Sequence, residues 1–488
     1  MKLNASRWLI AVLAALPLLC AYSCAVPLGP GYHIEKESVE LSFSAQPQPR
    51  LHLHARFSLA NTGNASLAAL DVTVPEKDFV GRENLRVTVD GKDAEVTESL
   101  PAGATMATAN VRFETSWPPH QKKQIEITCD MTGGSHGRAS MAPNALAFDG
   151  AYWFPTFDAP KRLFAKGEQR ADPTDFSIVL PNDFLAVASG RQIHRKARGE
   201  TVEYRFRLRD TGNPPYVLAG RYKQQLAKTK GTSVYFWTFQ GLPDNAVKSA
   251  GEQIAAAARF FDSNFAARAQ GESPVWIAEL SENEATSASF PNVILLDNKQ
   301  LSGTIASGQV SPDEIGLLAD TWLRWIASPE PREPILPMSL RTYATDAFYE
   351  SQDGGASYRQ KKIAEYLGQY DGARAQAVEK PVAQMTLSES PGQVNMAVSK
   401  ADLFLYALED ACGSEAFRHG VRQTLSDLRG RVYGYADLRA TLNSECSRFN
   451  GHTADIDALF RRWLYESGGV PADFRERYAV TTGRQDAK

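Results

Sequence analysis

The residue types that could do chemistry are unevenly placed along this chain. Of its eight histidines, none lies between Arg195 and Arg418, so imidazole is missing from the middle of the sequence. A hydrolytic zinc needs three protein ligands, usually with histidine among them, and an open fourth position. His52 and His54 share one face of an alternating segment and suggest a metal pair, but no third ligand adjoins them. As plain surface residues of an exposed strand face they are fully accounted for. Gly133-Gly134-Ser135-His136 and Asp353-Gly354-Gly355 are glycine turns without a phosphate-loop lysine, and no G-x-S-x-G elbow occurs. The cysteines have neither zinc-ribbon nor redox-pair spacing.

The elements that must carry any site begin after a targeting segment. Lys2 and Arg7 precede the apolar run Trp8 to Leu19, followed by Cys20-Ala21-Tyr22-Ser23-Cys24, the layout of a secretory signal over residues 1–23. The run is shorter than the roughly 20 residues of a bilayer span. Ala21-Tyr22-Ser23-Cys24 resembles a bacterial lipobox, in which the chain is cut before the cysteine and Cys24 is acylated. The alternative is ordinary signal peptidase cleavage with Cys24 a bystander. Residues 24–32 hold prolines and glycines and read as a short tether. In an oxidising compartment Cys412 and Cys446 either pair, since they fall in neighbouring predicted helices, or remain buried thiols.

A chain of 488 residues exceeds one core, and 43% hydrophobic with 22% charged residues indicates globular structure rather than disorder. A net charge of -3 without long like-charge runs argues against a nucleic-acid partner. Residues 33–229 read as an all-β domain of saddle or sandwich type. Leu51 to Leu59 alternates and ends at the turn Asn61-Thr62-Gly63-Asn64, and Arg86–Val89 with Lys92–Val96 forms a hairpin through Asp90-Gly91. Residues 230–475 change period: strands at Ser233–Thr238, Pro274–Leu280 and Phe290–Asp297 accompany helices that include Asn245–Phe265, Asp313–Ala327, Leu340–Ser351, Tyr358–Tyr370 and Met396–Cys412. Ser311, Pro312, Asp313 and Glu314 mark the start of the second helix. Residues 476–488 are left as a tail. The fold class is α+β and multidomain.

Local phrases connect these segments to a known family. Tyr152-Trp153-Phe154-Pro155-Thr156-Phe157-Asp158, Pro215-Tyr216-Val217-Leu218-Ala219-Gly220, Ala436-Asp437-Leu438, Leu459 to Leu464 and Gly469-Val470-Pro471 resemble, in order, stretches of the aminopeptidase N-type zinc metallopeptidases. These are gluzincins with an N-terminal β domain and a thermolysin-like, mostly helical catalytic domain. The β sandwich and large helical domain with which many members continue are not expected here, because the sequence stops at Lys488.

The resemblance implies a site and the sequence departs from it at every position. Aligned on Trp325, the two histidines of H-E-x-x-H correspond to Ala319 and Leu323, and the general-base glutamate to Asp320. The third zinc ligand corresponds to Thr342, the glutamate that binds the substrate amine to Ser289, and the oxyanion-stabilising tyrosine to Val398. Glu279, Glu282 and Glu284 are the carboxylates near enough in sequence to replace the amine-binding one, or they belong to a polar loop that faces solvent.

The expectation is therefore a non-catalytic aminopeptidase N-like protein with no cofactor. It is exported and lipid-anchored in a bacterial cell envelope, facing the periplasm, and keeps a peptidase-shaped cleft for a peptide or envelope protein. One alternative is an active zinc aminopeptidase with ligands placed elsewhere. The other is a purely structural envelope component whose cleft is filled by side chains such as Trp322.

Overall fold

The computed structural model describes residues 31–479 except 101–105, 134–138, 150–152, 158–173, 209–215, 267–273, 281–286, 304, 325, 331, 353–354, 430 and 451–454. The N-terminal half is β structure. Its largest sheet has eight strands; Arg50–Asn61 lies between Tyr32–Ser44 and Lys122–Met131, antiparallel to both. Alternation decides which side is buried: Leu51, Leu53, Ala55 and Phe57 enter the core, while His52 and Arg56 face solvent. Two four-stranded sheets close on the same apolar core.

The expected hairpin at Asp90-Gly91 forms, with both residues at positive φ as a tight turn requires. Its second arm is not one strand to Val96, however. Lys92–Asp93 stays with the large sheet, and Glu95–Ser99 moves to another sheet beside Met106–Trp117. Crossing between sheets lets Ala94 and Val96 both pack against the shared core.

The second half starts with a five-stranded sheet, ordered Lys223–Lys228, Ser233–Thr238, Val275–Glu279, Val293–Leu296, Ala288–Phe290. Its hairpin Lys223–Thr238 spans residue 229 and therefore draws six residues from the N-terminal side into this sheet. Helix α1 (Asp244–Asn264) links two parallel strands and lies on the sheet at Gly251, where a Cβ would overlap that of Ala227. The stretch expected as one strand from Phe290 to Asp297 is a hairpin. Pro291 and Asn292, the latter at φ 62°, turn the chain between two short strands. That turn presents Ser289 on the sheet edge.

Helices then pack into one large core: α2 (Pro312–Leu323), α3 (Ile335–Gln352), α4 (Ala356–Arg374), α5 (Pro391–Cys412), α6 (Ser414–Asp427) and α7 (Tyr435–Asn450). α2 ends four residues before the expected Ala327. The chain leaves it to pair Ser328–Pro329 with Val432–Tyr433, and the Tyr433 hydroxyl donates to the Leu323 carbonyl at 2.8 Å. A third apolar cluster, including Tyr216, Tyr222, Trp237 and Phe290, joins the β half to the five-stranded sheet.

Candidate functional site

The helix that would carry two metal ligands is set by its first turn. The Ser311 hydroxyl accepts from the Glu314 N–H, and the Glu314 carboxylate accepts from the Ser311 N–H, a complete capping box ahead of Pro312. The remaining turns are apolar around most of the circumference, and every residue from Glu314 to Leu323 is buried. Ala319 and Leu323 each have 0% of their surface exposed and belong to the main core. Trp322 is equally buried, packs on Phe261 with ring centroids 5.3 Å apart, and donates its indole N–H to Asp262 at 2.9 Å.

Asp320, at the general-base position, is 1% exposed but not alone. The Ser289 hydroxyl donates to its Oδ2 at 3.3 Å, and the Arg341 and Arg324 guanidinium groups lie 3.6 and 3.8 Å from the same oxygen. Burial pushes the Asp320 carboxyl above its ordinary pKa, against the pull of Arg341, Arg324 and Ser289. Its Oδ1 has no hydrogen-bond partner among the described residues. Two positions that the sequence places far apart, Ser289 and Asp320, are thus brought into contact, with a cation between α2 and α3 that sequence reasoning missed. The signal was Gly316. A Cβ there would stand 2.8 Å from Arg341 Nε, so the glycine inside α2 makes room for that side chain.

Thr342 sits beside Arg341 on α3, partly exposed, and its hydroxyl donates to the Met338 carbonyl one turn back at 3.2 Å. Val398 on α5 is partly buried against the main core. The first tyrosine after Tyr370, Tyr406, donates to Asp346 at 3.0 Å, as Tyr366 does at 2.5 Å, so its hydroxyl is already engaged. Lys400, within the phrase Ser399-Lys400-Ala401, forms a buried pair with Glu379 at 2.6 Å. Glu279 is half-buried, its carboxyl raised by that burial, and it accepts the Phe239 N–H at 2.7 Å; Glu282 and Glu284 lie outside the described residues.

A zinc ion does not fit these residues. Ala319 and Leu323 offer no donor atom, and the Thr342 hydroxyl is a poor zinc ligand already committed to its own helix. Among the described residues no three His, Cys, Asp or Glu side chains come together as a metal site. His52 and His54 are held separately, by Asp130 at 2.9 Å and Glu126 at 3.1 Å. Cys412 and Cys446 form a disulfide between the end of α5 and α7, and Cys129 is a buried free thiol. Cys24 and Trp325 lie outside the described residues.

The sequence matches no protein-family model and no curated protein. The structure nevertheless resembles the M1 zinc metallopeptidase from Deinococcus radiodurans, with a TM-score of 0.62 at 13% identity over 89% of this chain and 94% of that one. A glutamate-to-alanine mutant of that enzyme gives a TM-score of 0.64 at 13% identity, over 91% and 96%. The mutant bound to a Tyr-Ser-Ala substrate gives 0.63 at 15%, over 91% and 96%. The chain therefore has the fold of a two-domain M1 zinc metallopeptidase, a β-rich half followed by a mostly helical one.

Proposed function

We propose that this protein is a non-catalytic relative of the M1 peptidases, exported and lipid-anchored through Cys24, whose peptidase-shaped surface binds a peptide or envelope protein instead of cleaving it. One observation carries the reading: the face of α2 that must present two imidazoles to a metal presents Ala319 and Leu323, both sealed in the core. The carboxylate at the general-base position is engaged through one oxygen, Oδ2, by the Ser289 hydroxyl and the Arg341 guanidinium. Purified protein should release no chromophore from aminoacyl chromogenic substrates, with or without added zinc. Turnover that a chelator abolishes would instead support an active zinc aminopeptidase.

The complete burial of Trp322 and Leu323 also favours a second reading, a purely structural component whose former metal pocket is filled. The two differ in ligand response. Short peptides should raise the melting temperature under the binding reading and leave it unchanged under the structural one. Anchoring is tested separately: Cys24→Ser should abolish lipid labelling and release the protein from membranes, while Cys20→Ser should not. Unchanged membrane association of the Cys24 variant would place the anchor elsewhere.

A further inference from the structure

The eight-stranded sheet ends in an edge that its neighbours do not share. Arg191–Arg198 is its terminal strand, and all eight residues are exposed. The terminal strands of the other sheets have two to five residues, or six for Lys223–Lys228, and the opposite edge of this sheet is the two-residue Lys92–Asp93. A long open edge leaves unpaired N–H and C=O groups available to another chain. No proline interrupts it; its register shifts once, between Gln192 and His194, and from His194 to Arg198 it is continuous against Thr201–Arg205.

The charge of this edge sets what can join it. The hairpin Arg191–Leu208 has six Arg or Lys against two Glu, a formal +4 with His neutral, in a protein of net charge -3. Glu203 is already shared by Arg198 at 2.8 Å and Arg205 at 2.5 Å, and Arg195 bonds the Tyr204 hydroxyl at 3.0 Å. Arg191 and Lys196 have no ionic partner among the described residues. An open groove of about 590 Å³ crosses the sheet face from this strand, where Ile193, Arg198, Glu203 and Arg205 line it, as far as Glu40, His52 and His54. Ile193 is 37% exposed and offers the groove an apolar contact. Positive guards on an edge repel a second copy of the same edge, and the same field attracts an acidic strand.

We propose that the edge strand Arg191–Arg198 is a docking site for an extended acidic segment of a partner protein, which adds a ninth strand to the sheet. Backbone hydrogen bonds supply the attachment, and carboxylates reaching Arg191 and Lys196 supply the selectivity. This site is remote in sequence from the positions discussed above and does not depend on the loss of zinc chemistry.

The test uses the full mature chain and fluorescein-labelled short peptides in which Glu alternates with Val. Controls replace Glu by Lys, or interrupt the Glu peptide with proline so that it cannot act as a strand. The acidic peptide should bind, measured by fluorescence anisotropy, and should slow hydrogen exchange of the amides of residues 191–198. The double variant Arg191→Glu with Lys196→Glu should weaken binding about tenfold or more, with unchanged near-UV circular dichroism. Should that variant misfold, the proline-interrupted peptide and the amide protection decide alone. Absent binding, binding without protection of these amides, or equal binding of the proline-interrupted peptide each overturns the proposal.

Discussion

α2 and α3 carry Ala319, Leu323 and Thr342, the three positions that the sequence resemblance aligns with the metal ligands, and the two helices hold them in different surroundings. On α2, Ala319 and Leu323 have become part of the interior, and Asp320 is enclosed with them. On α3, Thr342 is partly exposed and its hydroxyl donates within its own helix. A site that had lost only its ligands would leave a polar hollow, because the rest of the pocket would still be shaped for a metal. Here the α2 positions are packed in the core while Thr342 on α3 borders solvent. Restoring ligands should therefore be unequal in cost, which is the way to break the comparison.

The largest effect is expected for Leu323→His. It removes an aliphatic group that fills the core and introduces ring nitrogens without partners, a loss of about 2–4 kcal/mol in chemical denaturation. An unchanged unfolding free energy would mean that this face looks into a wet cleft. Combining it with Ala319→His and Thr342→Glu should lower stability further, because the ring at 319 overpacks a filled site. Added zinc should restore only part of that loss, since no partners orient the new imidazoles; thermal melts with and without metal measure it.

Thr342→Glu alone should be mild, within about 0.5 kcal/mol, because the site is partly exposed and the surrounding helix is intact. A cost as large as that of Leu323→His would erase the distinction between the two helices.

These contrasts were only partly legible in the sequence. The start of α2 was plain from Ser311, Pro312 and Glu314, because capping is local chemistry. The packing of Ala319 and Leu323 followed from the apolar stripe of Ile315, Leu318 and Trp322. Arg341 reaching Asp320 was not legible, because it depends on two helices meeting at Gly316. The division of 290–297 into a hairpin was signalled by Pro291-Asn292 but masked by the apolar residues on both sides. Likewise, Lys92–Val96 read as one strand because alternation continues while the chain changes sheets.

The smallest expected effect sharpens the account of Asp320. Its carboxyl is raised above the unfolded value by burial, so where it is protonated in both states its contribution to stability does not change with pH. As pH rises from the ordinary carboxylate value to the raised one, the unfolded chain ionises first and stability falls. Asp320→Asn lacks this step, so its melting temperature relative to wild type should increase with pH across that window. A difference that moves the other way would mean that Arg341 and Arg324 outweigh burial.

We propose that an M1 peptidase fold has lost its metal seat to core packing. Metal analysis of purified mature protein, after incubation with zinc and exhaustive dialysis, tests it most directly. Far less than stoichiometric zinc is expected, with the same melting temperature before and after exposure to metal. Retention of about one zinc per chain, with a melting temperature that falls on chelation, would contradict it.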